Sequence, residues 1–484
     1  MNLTQVDYSR KWYVMLAVAM GIFLATIDSS IVNVALPSLI NEFSTDFATV
    51  QWVILAYLLT LTSLLLSVGR LGDMIGKKSI YTLGFVIFTV GSVLCGLAPT
   101  VYWLIGFRTL QAIGATMILA LGMAIVTEAF PPAERGKALG ITGTVVSIGI
   151  IVGPTLGGII LDLFSWHWIF FVNLPVGILG TWLVIRNVPA IKPIGGQQFD
   201  FLGAGLLFTS LLSFLFALTI GQQAGFQDDR VVLLFSAGFG LLLLFILTEL
   251  RVPQPMVELH MFKNIQFSIN LATGFISFVA IAGTTLLMPF YLQNILGFGT
   301  RQVGMLMAVV PVIMGVVAPI SGNLSDRLGS RPITVIGLAV LLFGYFLLST
   351  LKLTTSAYGY ILRFIPIGLG MGIFQSPNNS AIMGTASRER LGIVSGMLAV
   401  TRTLGQTTGI AIVGALWAAR VLSYNQGPLP QGATSALPAY QVSAMQDTFL
   451  LLGFMLTFAL GLSIWALLQT RQKQKVPVAG SAIE

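Results

Sequence analysis

The sequence is poor in charge. Of 484 residues, only 9% are Asp, Glu, Lys or Arg, against roughly 25% in a soluble domain. That is too little polar surface to coat a protein in water, and the mean hydropathy of +0.90 agrees. Cysteine is nearly absent. Cys95 stands alone, which excludes a disulfide within the chain and a cysteine-based metal site. His167 and His260 are the only histidines. They fall in loops assigned below to opposite sides, so no metal centre is expected. No HExxH pair occurs, and no Walker loop: five residues before Gly76 stands Leu71 where that loop needs glycine. An intramembrane enzyme therefore lacks its catalytic cluster, ATP is not expected as energy source, and no cofactor is expected. A long soluble effector domain, which a signalling receptor would need, is missing too.

What is present is a succession of apolar segments of membrane-spanning length. The first is no cleaved signal peptide: it is too long and contains Asp28 and Asn33. Fourteen helices are predicted, at about 13–38, 50–69, 79–98, 101–127, 138–161, 168–187, 201–221, 231–250, 266–292, 301–322, 332–351, 356–377, 391–419 and 447–470. The short alternating segments of a membrane barrel are absent. Of the 25 Lys and Arg, 18 fall in loops on the side of the N-terminus and 4 on the other, while Arg108, Arg363 and Arg402 lie inside helices. This bias predicts both termini in the cytoplasm. It also accounts for the net charge of +8 without a nucleic-acid partner.

The chain repeats itself at an offset of about 251–256 residues. "FATVQ" ending at Gln51 returns as "FGTRQ" ending at Gln302, and "GRLGDMIGKK" from Gly69 as "GNLSDRLGSR" from Gly322. Arg108 and Arg363 each precede a Glu-Arg pair by 26 residues, and Gly149 and Gly153 match Gly405 and Gly409. Two six-helix halves result, 1–190 and 263–470, with an inserted helix pair in 191–262 and a tail at 471–484. Such halves around a central site suit alternating access.

These stretches resemble the major facilitator superfamily, in particular its fourteen-helix drug:proton antiporters. "GRLGDMIGKK" is similar to the superfamily's cytoplasmic loop motif, "RTLQAIG" from Arg108 to its helix-4 motif, and "GIIVGPTLGG" from Gly149 to its helix-5 exporter motif. "IDSSIVNVALP" and "SWHWIFFVNLPVG" resemble patterns of the fourteen-helix branch. The resemblance covers nearly the whole chain. His167 departs from it where arginine is usual, and Ala112 where glycine is usual. The resemblance implies an all-α integral membrane fold of two six-helix pseudo-repeats plus two inserted helices.

The motifs also read physically. Gly69, Gly72 and Gly76 allow tight turns and close helix approach. Asp73 is placed to cap a helix or pair with a cation, and Arg70, Lys77 and Lys78 hold the loop on the cytoplasmic side. Asp326 and Arg327 are the counterparts in the repeat. The resemblance implies a gating latch between helices; a topology determinant alone is the alternative. Gly149 and Gly153 form GxxxG, Pro154 removes a backbone donor and should kink the helix, and Gly157 and Gly158 add a smooth patch. A dimerisation face competes here with a hinge or seal between the halves. The "GPLPQGATSALPAY" stretch falls in a long outer loop at about 420–446, which either covers the outer vestibule or links two helices.

Asp28 is the acid set deepest in the predicted spans, whereas Glu128 sits at a helix end. Asp28 lies about 23 Å up a span of about 30 Å, and Arg108 about 10 Å below the outer start of helix 4, so their depths match. In the resembling fold, helices 1 and 4 border the central cavity. Thr26, Ser29, Ser30 and Asn33 make one polar stripe, from which Asp28 is rotated by at least about 100°. Asp28 and Arg108 are the proton-coupling candidates; a static ion pair is the alternative. The acid is lost from the second half, where Ala280 stands opposite. Gln111, Gln293, Asn294, Gln375, Asn378 and Asn379 join the polar stripe as candidate cavity residues. Arg363 and Arg402 either hold structure or bind an anionic group. Seventeen Met and 32 Phe allow an adaptable apolar cavity.

The expected function is a proton-driven exporter of amphipathic, cationic or neutral small molecules, of the multidrug antiporter kind. The alternative is an exporter or flippase for one metabolite or lipid. The expected partners are substrate, protons and the bilayer, for a monomer in a bacterial inner membrane.

Overall fold

The computed structural model describes residues 8–131, 134–190, 200–253, 255, 257, 259–385, 391–425, 429 and 432–475. Among these, every regular element is helical. Fourteen helices are long and apolar enough to cross a membrane. They are α1 (Tyr8–Phe43), α2 (Phe47–Ile75), α3 (Lys77–Gly96), α4 (Val101–Ala129), α5 (Lys137–Leu163), α6 (Trp168–Asn187) and α7 (Phe201–Gln222). Then follow α8 (Asp229–Glu249), α9 (Ile265–Ile295), α10 (Thr300–Leu328), α11 (Ser330–Leu348), α12 (Ala357–Met383), α13 (Val394–Asn425) and α14 (Pro438–Gln469). The protein is an integral membrane protein.

Local chemistry sets the helix starts. Thr100 accepts a hydrogen bond from the Trp103 amide at the head of α4, and Ser356 does the same for Gly359 at the head of α12. Such caps satisfy amides that the first turn leaves unpaired. Gly76 closes the α2–α3 turn at φ 112°, and Gly329 closes the α10–α11 turn at φ 86°. Both angles are open to glycine and strained for other residues.

The repeat is visible as repeated packing. The main pairs α1–α5, α2–α4 and α3–α4 recur as α9–α13, α10–α12 and α11–α12. Between the halves, α2 lies along α13, and α5 lies against α10. The α5–α10 contact is concentrated on Thr300–Met307 and thins along Val309–Leu328. The α2–α13 contact runs on past Thr62 and Thr407 to Leu66 beside Gly396, while further links gather at the end away from the Lys- and Arg-rich side. Gln293 Nε2 donates to Val34 O at 3.1 Å. The Phe47 ring stands edge-on to Phe290 at 5.0 Å and to Trp417 at 4.8 Å. The inserted helices pack on each other, and α7 also lies on both α2 and α13. Trp52 Nε1 of α2 donates to Thr219 Oγ1 of α7 at 3.0 Å.

One expectation fails at the far end. The long loop placed at about 420–446 is mostly helix: α13 continues to Asn425, and α14 begins at Pro438. Polar pairing between the extensions replaces lipid contact. Arg420 binds Asp447 at 2.8 Å, Tyr424 Oη donates to the same carboxylate at 2.8 Å, and Trp417 Nε1 donates to Gln441 O at 3.1 Å. Hydropathy does not register such aqueous extensions. Of the quoted loop stretch, 427, 428, 430 and 431 lie outside the described residues. Gly432 rests beside Asp46 and Phe47 of the other half.

Glycine on both sides makes the α5–α10 contact possible. A Cβ on Gly158 would lie 2.6 Å from Thr300 O, and one on Gly304 would strike the Pro154 carbonyl. Gly304→Val is therefore expected to hold this end apart. Buried Cys95 leaves a low labelling background. In a Gln293→Cys protein, adding Gly304→Val should raise labelling by an impermeant maleimide applied from that end. An unchanged rate would show that the glycine contact does not control closure.

Candidate functional site: a buried carboxylate–guanidinium cluster

Helix α1 carries Asp28 on a face turned toward α4 and α6, away from its hydroxyl stripe. Asp28 is 0% exposed and Arg108 1%. Arg108 Nη1 donates to Asp28 Oδ2 at 2.6 Å. The other carboxylate oxygen accepts from Gln111 Nε2 at 2.8 Å and from Asn173 Nδ2 at 3.1 Å. Two charges are thus buried together, and each is solvated by protein groups in place of water. Without such pairing, burial of either would cost several kcal/mol.

Arg108 is held independently of the acid as well. Its Nε donates to Val53 O at 3.0 Å, and its Nη1 also reaches Gln111 Oε1 at 2.7 Å. The Tyr57 ring lies 4.2 Å from the guanidinium carbon, within range of a cation–π attraction. Asn173 donates to Ser92 Oγ at 3.0 Å, and Ser92 donates to Phe170 O at 2.9 Å. The cluster therefore joins α1, α2, α3, α4 and α6.

The sequence nominated Asp28, Arg108 and Gln111, and the structure brings these three together. It missed Asn173, Ser92 and Tyr57. Asn173 stood inside the quoted "SWHWIFFVNLPVG" stretch; an amide in an otherwise apolar run just before Pro175 is the signal that could have marked it.

Other candidates lie elsewhere. Thr26 and Ser30 do not face the space between the halves. They sit under α5, where a Cβ on Gly149 would strike the Thr26 hydroxyl and one on Gly153 the Ser30 hydroxyl. Ser30 Oγ also donates to Gly149 O at 3.2 Å. Gly157 presses on Ile31. The exporter motif is thus mainly a seam within one half, while Gly158, the Pro154 carbonyl and Ile151, beside Gly315, meet the other half. Gly149 and Gly153 are covered by α1, which leaves them no dimerisation face. Pro154 is accommodated inside a continuous helix.

Ser29 and Asn33 turn back to their own helix, at Thr26 O and Ser29 O. Gln293 and Asn294 lie in the π turn that ends α9; Gln293 bridges the halves and Asn294 is exposed. Asn378 is buried against Asn270 O at 3.1 Å, while Gln375 and Asn379 are partly buried on the same helix. Arg363, despite matching Arg108 in the repeat, turns to the helix end and donates to Gly359 O and Thr350 Oγ1. With Ala280 in place of an acid, nothing draws it inward.

In the loop motif, Lys77 binds Asp73 at 3.0 Å and also Glu128. All three belong to the first half, so this charge cluster does not latch the halves in this conformation. Gly72 presses on Leu121 of α4, and nothing crowds Gly69. Arg70 donates to Pro255 O, beside the inserted pair. Lys78 lies with Arg10, Lys11 and Arg186 around a cavity of about 240 Å³. Asp326 and Arg327 are exposed. His167 stacks on Trp166 at 4.0 Å and meets Ser165 Oγ at 3.1 Å.

Comparison with known proteins agrees with this architecture. The family model for the Major Facilitator Superfamily matches residues 18–410, and the chain belongs to that superfamily. It is 37% identical to the riboflavin transporter RibZ of Clostridioides difficile, over 86% of this chain and 90% of that one. It is 30% identical to the multidrug transporter protein MdtP of Bacillus subtilis, over 85% and 76%. With the multidrug resistance protein Stp of Mycobacterium tuberculosis it shares 32% identity over 87% and 77%. Among solved structures, a bacterial homologue of the human lysosomal transporter Spinster, inward-facing and unoccupied, superposes with a TM-score of 0.66 at 18% identity, over 95% and 97% of the two chains.

The cluster gives a stability prediction. Arg108→Met leaves a buried carboxylate without its cation and should cost about 3–5 kcal/mol. Asn173→Ala removes one of three donors and should cost about 1–3 kcal/mol. Thermal unfolding in detergent should therefore rank Arg108→Met least stable, with Asp28→Asn/Arg108→Met recovering part of the loss. Equal melting temperatures for the single and double variants would contradict a coupled pair.

Proposed function

We propose that this protein is a proton-coupled exporter of amphipathic small molecules, cationic or neutral, that works by alternating access. The carrying observation is the Asp28–Arg108 pair: two fully buried charges in a chain whose relatives are named as transporters. Intramembrane ionisable residues are costly and mark transport pathways by default. With the Lys- and Arg-rich side in the cytoplasm, the conformation described is closed outside. Asp28 then faces three N–H donors, an environment built for a carboxylate, since a carboxylic O–H would need an acceptor. This is the state expected after proton release to the cytoplasm.

Arg108 retains Val53 O and Gln111 Oε1 as acceptors when it lets Asp28 go. The acid can thus take a proton in the opposite conformation without stranding the guanidinium. Substrate enters from the cytoplasmic side, and the inward proton gradient returns the carrier. Broad specificity draws support from the relatives named for multidrug transport. The relative named for riboflavin favours a second reading, an exporter dedicated to one endogenous metabolite.

The test is substrate-driven proton release from detergent-purified protein, with ethidium and riboflavin as probes. Wild type should release protons on binding a substrate, and Asp28→Asn should not. Release that persists in Asp28→Asn would sink the coupling role. In energised vesicles, export of ethidium but not riboflavin supports the multidrug reading, and the reverse supports the dedicated one. Export that survives an uncoupler would remove proton drive from either.

A further inference from the structure

Arg402 is the basic residue that neither helix ends nor the Asp28 cluster explain. It lies eight residues into α13, counted from Val394, or about 12 Å along the axis. Arg108 has an acid, an amide and a carbonyl; Arg363 has a hydroxyl and a carbonyl. Arg402 has no hydrogen bond and no ion pair to any described residue. Its guanidinium carbon lies 5.9 Å from the Phe278 ring centre of α9. It is deep in the bundle, yet part of its surface stays accessible.

Helix geometry places it between the two halves. Gly405 and Gly409, which press on Phe275, Phe278 and Val279 of α9, lie within about 60° of it around α13. Thr403 is about 100° away on the other side, toward the face where Thr407 meets Thr62 of α2 at 3.5 Å. Between those faces, Ser395, Ala399, Arg402 and Gln406 form one stripe by helical spacing. Ser395 is exposed and the other three are partly buried. Further along the same stripe, Ile410 is 4% and Val413 1% exposed. The stripe therefore opens toward the Lys- and Arg-rich side and closes at the sealed end. A cation kept there without a partner among the described residues leaves five N–H donors to a ligand.

We infer that Arg402 is a substrate-binding residue that recognises an anionic group, a carboxylate or phosphate, on an otherwise apolar molecule stacked near Phe278. The inference rests on the export reading and shifts its ligand class from simple cations toward zwitterions and acids. Asp28 has both oxygens occupied and offers no free charge to a cationic substrate in this conformation, whereas Arg402 offers its own. Zwitterions and acids of the amphipathic class are then better ligands than simple cations.

Rhodamine B and its ethyl ester differ in one free carboxylate. Equilibrium binding of each to purified wild type, Arg402→Gln and Arg402→Lys, read by fluorescence anisotropy, tests the inference. The wild type should favour the free acid by about tenfold, the worth of one charge-assisted hydrogen bond. Arg402→Gln should abolish that preference, and Arg402→Lys should keep part of it. An acid-to-ester ratio unchanged by Arg402→Gln would overturn the inference, as would a wild type that binds the two dyes equally or binds neither. Proton-driven export of the ester by wild-type vesicles is scored separately. Its absence counts against the export reading, while the binding ratio still reports on Arg402.

Discussion

The structure of the first half turns on one ion pair. Asp28 and Arg108 are both removed from solvent, and neither would be stable there alone. Their partners come from helices far apart in sequence, Val53 from α2, Gln111 from α4 and Asn173 from α6, and Asn173 is held in turn by Ser92 of α3. Five helices are thus registered against one another by a charge that must be satisfied. Apolar packing in a membrane has no such directional demand, since lipid is as apolar as leucine. The pair supplies orientation where the hydrophobic effect supplies none.

The second half lacks this device and uses milder ones. Ala280 replaces the acid, and Thr284 instead meets Tyr345 Oη at 2.9 Å. Asn378 is tied to Asn270 O. Its buried cation, Arg402, has no hydrogen-bond or ion-pair partner among the described residues. A half locked by charge thus faces a half with a cation to spare. On the reading proposed above, the asymmetry separates the two tasks of a coupled transporter, holding a proton site and recognising a ligand.

Much of this was legible in the sequence. The number of spans follows from hydropathy, and the pairing of halves from the offset between Arg108 and Arg363. The depth of Asp28 and Arg108 followed from counting residues, and the rotation of Asp28 off the hydroxyl stripe from helical period. What was not legible depends on which neighbour a face meets. Thr26 and Ser30 read as cavity residues because polarity alone does not reveal that glycines on α5 lie over them. Asn173 was hidden because a single amide is common between helices. The extensions of α13 and α14 were missed because Arg420, Tyr424 and Asp447 are polar, and hydropathy reads polar helix as loop.

Glycine serves opposite ends in the two seams of α5. Against α1, Gly149 and Gly153 are sockets, each filled by a hydroxyl side chain, so sliding or separation must first withdraw a plug. Against α10, Gly158 meets Gly304, with smooth backbone on either side and no side chain inserted. The first seam is keyed and the second is a bearing surface. On the alternating-access reading proposed above, α1 and α5 travel together as one strut, and the α5–α10 face, which holds no hydroxyl plug, is a surface along which the halves part.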